Sequence, residues 1–252
     1  MSQPVTAPAW DLAAARAALA PRGVLRPGMN LGNTLFTQRE AASGALRGVS
    51  VDLMQELGAC LGVPVEQVVY PTPGDVADTA TADAWDVAIL AIEPARAETI
   101  AFSPAMTEID ASYVVHADSP LTSCAQADAP GVRIVAPAKA GYELYLTRTL
   151  QKATLVRTRN FKESMALFSA READALAGLR PGLLEVMPTL TQARLLEDQF
   201  MVVNHGLGAP RSRAGAAEAL AAFVAAVNAS GFIAASIAAH GVQGLRAVKR
   251  AA

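Results

Sequence analysis

The chain has 252 residues, with a hydrophobic fraction of 52%, a charged fraction of 17% and a net charge of −2. This composition is globular, because it combines too much apolar mass with too little charge for a disordered chain. The near-neutral charge argues against nucleic acid as the main partner, and no stretch approaches the roughly 18 uninterrupted apolar residues of a membrane span. Much of the apolar count is alanine, so composition leaves open one large domain or two smaller ones.

The first 21 residues are predicted to form a short amphipathic helical extension. Asp11 is suited to cap this helix, and Pro21 and Gly23 are suited to stop it. The segment lacks the early basic residues and the unbroken apolar core of a secretory signal, so the sequence as given favours the cytoplasm. A chain whose signal was removed, with Met1 as an added start, would look similar, and that alternative stays open.

The first half of the chain alternates between strand and helix patterns. In chain order we predict a strand at 24–30, a loop at 31–47, a helix at 49–61, a strand at 65–70, a rigid turn at 71–74, a weak helix at 76–84, a buried strand at 85–92 and a short helix from 94 to about 100. This order indicates a parallel α/β sheet, which binds ligands beyond the carboxyl ends of its strands. The loops predicted at that edge are residues 30–37 and 93–96.

A second α/β pattern follows a strand at 112–116 and a polar stretch. Its predicted elements are a strand at 132–135, a helix at 141–151, a strand at 154–157, a helix at 162–168 and strands at 173–178 and 199–204. Two alanine-rich helices, at 215–229 and 232–240, close the chain. The alternation repeats that of the first half at the level of the fold, without an alignable sequence repeat.

The cysteines and histidines of the sequence indicate neither a metal nor a cofactor. Cys60 and Cys124 are too few for a disulfide scaffold. The three histidines are isolated and lack metal-ligand spacing. The sequence also lacks a P-loop, a dinucleotide fingerprint, a GxSxG motif and an HExxH motif. We therefore expect no cofactor.

Four segments of the sequence resemble the bacterial extracellular solute-binding proteins of family 3, the amino-acid-type binding proteins of ABC transporters. They are a G-x-x-V-D-L helix, a W-D-V strand, a Pro-x-Arg element and an Ile-x-Phe-Ser element, formed here by Gly48, Val51, Asp52, Leu53, Trp85, Asp86, Val87, Pro94, Arg96, Ile100, Phe102 and Ser103. The segment around Gly231 resembles the family's closing turn and last helix. The resemblance covers roughly residues 22 to 245.

This resemblance implies an α/β fold of the type 2 periplasmic-binding-protein, or Venus flytrap, class. Such a fold has two lobes, two hinge strands and a C-terminal helical segment, with the ligand in the cleft between the lobes. The implied boundaries are an N-terminal extension at 1–21, a first lobe at 22–115 and 206–252, and a second lobe at 116–205. The hinges would lie near 112–116 and 199–204.

In the first lobe, the resemblance places Arg96 on the carboxylate of the ligand. A guanidinium offers a bidentate fork for a carboxylate, whereas the alternative is a solvated helix arginine. Ala91 stands where the family often has a hydroxyl, and Glu93 replaces the usual threonine. A carboxylate at position 93 would repel an anion unless it faces a ligand amine or turns outward. The ring that the family places over its ligand is missing here, and Asn33, Thr34 and Phe36 in the first loop would partly replace it.

In the second lobe, the resemblance places the start of a helix on the ligand anion. Lys139, Gly141 and Tyr142 occupy this stretch, where the family's hydroxyls are missing but the backbone amides remain. Lys139 would supply charge, or it is a surface lysine. The amine-binding acid of the family is absent, and Arg180 near that position offers a second anion fork or is a solvated turn residue.

These features predict a protein that binds a small anionic solute, an amino acid or a carboxylate, without a chemical step. By resemblance it would be periplasmic and would serve an ABC transporter permease. One alternative is a dehydratase-like lyase on the same scaffold, with Glu93, Glu108 and Lys139 as candidate acids or bases. Another is a cytosolic ligand sensor that passes ligand closure to a partner.

Overall fold

A computed structural model of the chain describes residue 8 and residues 10–248, so the predictions for residues 1–7, 9 and 249–252 lie outside the described residues. The chain forms two compact units. Unit 1 comprises Met1–Glu108 and Asn204–Ala252, and unit 2 comprises Ile109–Val203. The helical segment near the N-terminus is part of unit 1, where it packs against two other helices of that unit.

The first part of unit 1 contains most of its strands. Its elements, in chain order, are α1 (Leu12–Leu19), β1 (Pro27–Asn30), β2 (Gln38–Arg39), β3 (Leu46–Arg47), α2 (Val49–Leu61), β4 (Val68–Tyr70), α3 (Pro73–Asp78), β5 (Val87–Ala91), α4 (Pro94–Ala97) and β6 (Ile100–Phe102).

The chain then passes into unit 2 along a long strand. The elements that follow are β7 (Thr107–His116), β8 (Arg133–Pro137), α5 (Gly141–Thr149), β9 (Thr154–Thr158), α6 (Phe161–Ser169), β10 (Ala175–Leu179), α7 (Arg180–Val186) and β11 (Ala193–Leu195), with short 3₁₀ turns at Cys124–Ala127 and Met187–Thr189.

A second long strand returns the chain to unit 1. The closing elements are β12 (Met201–Pro210), α8 (Ala216–Ser230), α9 (Phe232–Ala239) and β13 (Arg246–Ala247). Among the described residues no single helix is long and apolar enough to cross a membrane. Helices α8 and α9 together have the necessary length and apolar composition, but the pair is bent by 67° at its junction.

The sheet of unit 1 has a parallel centre. Its strand order is β4-β1-β5-β12, in which β4, β1 and β5 are parallel and β12 is antiparallel to β5. One apolar cluster packs α3 on this sheet and consists of Val76, Ala80, Trp85, Ala88, Leu90 and Ile100. The predicted β-α-β-α-β-α order is confirmed for the larger elements, but the predicted loop at 31–47 contains the short paired strands β2 and β3.

The sheet of unit 2 repeats that arrangement. Its strand order is β7-β10-β8-β9, with β10, β8 and β9 parallel and β7 antiparallel to β10. The parallel strands β9-β8-β10 therefore correspond to β4-β1-β5 of unit 1. One apolar core cluster of unit 2 consists of Val114, Val135, Phe168, Ala173, Leu176, Leu183 and Leu190.

The bounds of helix α2 were predictable from the periodicity of its apolar residues. Apolar residues recur at i+3 and i+4 along it, and those positions form its buried face. The helix ends at Gly62, which adopts a left-handed conformation with φ +64° and so supplies the usual glycine cap. Observed and predicted helices coincide at residues 49–61.

The predicted turn at residues 71–74 is wrong in its second half, because Pro73 and Gly74 are the first residues of α3. The Thr72 hydroxyl accepts a hydrogen bond from the Asp75 amide, and the Asp75 carboxylate accepts one from the Thr72 amide. This capping box starts the helix, and a proline at the first helical position does not interrupt it. Helix α3 (Pro73–Asp78) therefore begins and ends earlier than the helix predicted at residues 76–84.

Candidate functional site

The carboxyl ends of three parallel strands define one edge of the unit 1 sheet. Strands β4, β1 and β5 end at Tyr70, Asn30 and Ala91, and they are neighbours in register. The loops that follow β1 and β5 therefore meet at this edge, where open α/β sheets bind ligands. We call this edge, with residues 31–37 and 91–96, the unit 1 edge.

The loop after β1 is organised by Asn33. Its carbonyl accepts hydrogen bonds from the amides of Phe36 and Thr37 at 3.1 and 3.2 Å, and its side chain accepts from the Leu35 amide at 3.2 Å. Thr34 is exposed, whereas Phe36 is buried. Of these predicted site residues, Asn33 and Phe36 thus also shape the loop itself.

Gly48 fixes this loop against the start of α2. Its φ is +119°, and a Cβ there would lie 2.4 Å from the carbonyl oxygen of Phe36. The same oxygen accepts hydrogen bonds from the amide and the hydroxyl of Ser50, both at 3.0 Å. The glycine of the G-x-x-V-D-L pattern is therefore required because two backbone segments approach closely.

The aspartate of the same pattern joins two helices of unit 1. The Asp52 carboxylate in α2 accepts a hydrogen bond from the Ser236 hydroxyl at 2.6 Å and lies 2.9 Å from Nε2 of His240. Both partners belong to the last helical segment of the chain. This part of the family pattern consequently stabilises the fold.

Arg96 is buried at the unit 1 edge, with only 4% of its surface exposed. Its Nη1 donates a hydrogen bond of 3.1 Å to the carbonyl of Ala91. Burial lowers the pKa of the guanidinium to about 10, while the negative charges of Glu93 and Asp78 oppose that shift. The group remains a cation at neutral pH. The predicted alternative of a solvated helix arginine is wrong.

Glu93 is also buried, with 2% of its surface exposed. It lies on the N-terminal side of α4, and its carbonyl accepts hydrogen bonds from the amides of Arg96 and Ala97. The alternative in which Glu93 turns outward is therefore wrong. Because α4 has only four residues, its dipole is too short to attract an anion appreciably.

The unit 2 edge is built in the same way. Strand β8 ends at Pro137, and the predicted residues Lys139, Gly141 and Tyr142 follow it. Strand β10 runs parallel to β8 and ends one residue before Arg180. The structure thus brings these four residues to the carboxyl edge of one sheet, which we call the unit 2 edge.

Lys139 and its neighbours form the start of α5. Lys139 is exposed and has a φ of +62°, a conformation that is uncommon for a residue with a Cβ. Its amide donates a hydrogen bond of 2.8 Å to the Glu143 carboxylate. Gly141 is the first residue of the helix, and Tyr142 is buried, which raises the pKa of its hydroxyl.

Arg180 begins a helix, where the sequence suggested a turn. Its Nη1 donates hydrogen bonds of 2.9 Å to the carbonyls of Leu196 and Glu197. These bonds hold α7 against the segment that follows β11. A role for Arg180 as a second anion fork stays a prediction, and the contacts give it a structural role in unit 2.

Two residues at these edges were not predicted from the sequence. His205 in β12 pairs with Ala91, and its ring lies 4.9 Å from the ring of Phe36. Glu143 closes the Lys139 loop. Nothing local in the sequence marks His205, since its neighbours are distant along the chain, but the spacing of Glu143 from Lys139 resembles a capping arrangement and could have been noticed.

The described part of the chain contains no group of three or more His, Cys, Asp or Glu side chains that could hold a metal ion. Cys124 is buried beneath the carbonyl of Asp198, and burial raises the pKa of its thiol to about 12. A thiol of that kind is unreactive at neutral pH.

Comparison with protein families identifies one family model that matches residues 25–241. The chain belongs to the bacterial extracellular solute-binding proteins, family 3. Members of this family bind solutes, and the match covers most of the chain. A search of curated proteins found no significant match.

Solved structures similar to this family 3 protein include three amino-acid-binding proteins. The protein AbpA from Streptococcus pneumoniae bound to L-arginine is 17% identical, with a TM-score of 0.72 over 88% of this chain and 96% of that one. The ancestral amino acid-binding protein AncCDT-1, a precursor of cyclohexadienyl dehydratase, is 18% identical, with a TM-score of 0.71 over 89% and 97%. The arginine-bound form of truncated ArgBP from T. maritima is 18% identical, with a TM-score of 0.67 over 81% and 96%.

These similarities confirm the predicted fold class, an α/β fold of the type 2 periplasmic-binding-protein kind. At identities below 20% they show the fold alone. Family membership, in contrast, supports solute binding as the function of the chain. The family and most of the similar structures are binding proteins and not enzymes.

Proposed function

We propose that this protein binds a small solute with a carboxylate group, and that Arg96 is the residue that binds the carboxylate. The observation that carries the proposal is a guanidinium with 4% exposure at the carboxyl edge of a parallel sheet. A hydrogen bond from its Nη1 to the Ala91 carbonyl holds the guanidinium at this edge. A bidentate bond to a carboxylate is strong where water is excluded.

The burial of Glu93 favours an amino acid over a simple carboxylate. A carboxylate beside the Arg96 guanidinium would repel a purely anionic ligand, and Glu93 does not turn away to solvent. A ligand ammonium would offset that repulsion, since it carries the opposite charge to Glu93. The solute class proposed is therefore the α-amino acids, with the carboxylate on Arg96 and the amine towards Glu93.

The remaining predicted contacts extend this proposal. At the unit 1 edge we propose Asn33, Thr34, Phe36 and Ala91 as further contacts. At the unit 2 edge, Lys139, Gly141, Tyr142 and Arg180 stay predicted contacts, with Lys139 and the first amides of α5 as anion donors. Service to an ABC transporter permease is likewise part of the proposal, and stimulation of a reconstituted transporter by the solute-loaded protein would test it.

The proposal is tested by a thermal-shift screen of amino acids and small carboxylates, followed by calorimetry. Arg96→Ala should weaken binding of the stabilising solute about 100-fold, because two charge-assisted hydrogen bonds are lost. Arg96→Lys keeps the charge without the fork and should weaken binding less. Arg39→Ala is the matched control, since Arg39 is exposed and also donates to a carbonyl, that of Gly44.

Unchanged affinity in both Arg96 variants would exclude Arg96 as the carboxylate site. Because removal of a buried cation also affects folding, each variant is first compared with the wild type by circular dichroism. If Arg96→Ala does not fold, Arg96→Lys decides the question.

Elimination on a small carboxylic acid is a second candidate function. Glu93 favours it, because a buried carboxylate beside a substrate-binding guanidinium is a suitable base. AncCDT-1 is described as a precursor of a dehydratase. Turnover of cyclic carboxylic acids, followed by product absorbance, would test this function. Activity that Glu93→Gln abolishes without loss of binding would support it.

A further inference from the structure

Lys139 adopts a backbone conformation that its own side chain disfavours. Its φ of +62° lies in the left-handed region, which glycine enters easily and other residues rarely. It is exposed at the unit 2 edge, immediately before α5. Residues in such conformations persist only where surrounding contacts hold them.

Glu143 supplies that contact from the first turn of α5. One of its carboxylate oxygens accepts a hydrogen bond of 2.8 Å from the Lys139 amide. The side chain is nearly inaccessible, with 3% exposure. A carboxylate at this depth that accepts from a backbone amide forms a strong, charge-assisted bond.

The second oxygen of Glu143 is anchored from the opposite side. It accepts hydrogen bonds from the Thr147 hydroxyl at 2.7 Å and from Nε of Arg157 at 2.8 Å. Arg157 in turn donates to the Thr147 hydroxyl at 2.9 Å. The carboxylate therefore cannot rotate away without loss of two further bonds, and its position on the Lys139 amide is fixed.

We propose that Glu143 is a positioning residue of the solute site. It holds Lys139 in the left-handed conformation and thereby sets where the Lys139 ammonium and the first amides of α5 lie at the unit 2 edge. This inference rests on the proposed function, in which that edge contacts the solute. Glu143 does not touch the solute and acts through the Lys139 loop.

The chain contains a matched control at the start of α6. The Glu163 carboxylate also accepts a hydrogen bond from the amide four residues earlier, that of Arg159, at 2.9 Å. This glutamate is more exposed, at 37% of its side chain. Arg159 is not among the described residues with a positive φ. The two glutamates differ in burial and in whether the amide they bind belongs to a residue in the left-handed region.

The test compares Glu143→Gln with Glu163→Gln in two measurements. Hydrogen exchange of the peptide over residues 138–143 needs no solute, and Glu143→Gln should speed it about ten-fold while peptides of unit 1 stay unchanged. Calorimetric titration uses L-arginine, L-glutamate and L-alanine as probes. The affinity for each probe that the wild type binds should fall about ten-fold in Glu143→Gln and remain unchanged in Glu163→Gln.

A double variant separates positioning from general stability. Glycine needs no support at a positive φ, so Glu143→Gln should change exchange of residues 140–143 less in a Lys139→Gly background than in the wild type. Equal changes in both backgrounds, or exchange that rises throughout the chain, would overturn the proposal. So would wild-type affinity in Glu143→Gln.

Failure of the proposed function has a different signature. If the wild type binds none of the probes, or if affinity is insensitive to Arg96, the assignment of the solute site is at fault. The exchange measurement still decides whether Glu143 holds the loop, since it requires no solute.

Discussion

The two units of this protein contain the same arginine–aspartate clamp at the amino ends of their parallel strands. In unit 1, the amide and guanidinium of Arg26 donate to the Asp86 carboxylate, and the Asp86 amide donates to the Arg26 carbonyl at 2.8 Å. In unit 2, Arg133 and Asp174 form the same bonds, with the same 2.8 Å return bond. Each clamp joins the first and third parallel strands of its unit.

A third residue completes both clamps. Asp83 and Arg171 lie three residues before the clamp aspartates and have positive φ values of +51° and +59°. Each accepts a hydrogen bond of 2.9 Å on its carbonyl from the clamp arginine. The two units therefore share this backbone conformation as well as their strand order. The side chains of Asp83 and Arg171 nevertheless have opposite charges.

The clamps differ in their surroundings. Asp86 is fully buried and has a second cation, Arg213, 2.7 Å from its carboxylate. Asp174 keeps 37% of its side chain exposed. Because a buried charge without its partner costs far more than an exposed one, equal geometry does not imply equal contributions to stability.

The largest effect is expected for Asp86→Asn. The substitution removes the buried anion that two mostly buried guanidinium groups, those of Arg26 and Arg213, share, and it leaves them only the exposed carboxylate of Asp83. We expect a loss of roughly 3–5 kcal/mol in the free energy of unfolding. Urea denaturation followed by tryptophan fluorescence measures it, since both tryptophans, Trp10 and Trp85, belong to unit 1.

Asp174→Asn should cost about 1 kcal/mol or less. The pair with Arg133 is partly exposed on both sides, so water screens it and replaces the lost hydrogen bonds. Far-UV circular dichroism in urea is the measurement, because it reports on both units. A cost equal to that of Asp86→Asn would refute the claim that burial separates the two clamps.

The smallest effect concerns the acid stability of unit 1. Hydrogen bonds from Arg22 and Arg26 lower the pKa of Asp83 to about 2. An aspartate with a lowered pKa stabilises the fold above its unfolded value near 4, and this contribution is lost as the pH falls towards 2. Asp83→Asn should flatten the fall in melting temperature over that window by on the order of 1 °C.

Asparagine is a suitable substitution at this position because it tolerates a positive φ. Asp118→Asn is the matching variant in unit 2, since a hydrogen bond from Arg171 lowers the pKa of that exposed aspartate as well. If Asp83→Asn left the dependence of the melting temperature on pH unchanged, the bonds of Asp83 with Arg22 and Arg26 would not contribute to stability.

The apolar pattern of the sequence predicted helix α2 from its single buried face and strand β5 from its continuous apolar run. Helix α2 and strands β5, β8 and β9 lie where their apolar spacing indicated. The start of α3 was missed because proline and glycine suggest a turn, whereas the capping box formed by Thr72 and Asp75 favours a helix. That signal is local and was present in the sequence.

The sequence predicted that the candidate site residues follow strand ends, but it did not predict their electrostatics. Family resemblance placed Arg96 after a strand of the sheet, but it left open whether Glu93 turns inward, and the structure shows that Glu93 is buried. The same holds for the ring of His205 against Phe36. Such contacts have no local signature, so only the folded structure shows them.

The central claim is that the Arg96 guanidinium binds the carboxylate of the solute. The most direct measurement is calorimetry with the stabilising amino acid and with its primary amide, which lacks the carboxylate charge. The wild type should prefer the acid about 100-fold, and Arg96→Ala should lose this preference. If Arg96→Ala retains the full preference for the acid over the amide, the carboxylate binds elsewhere and the proposed site is wrong.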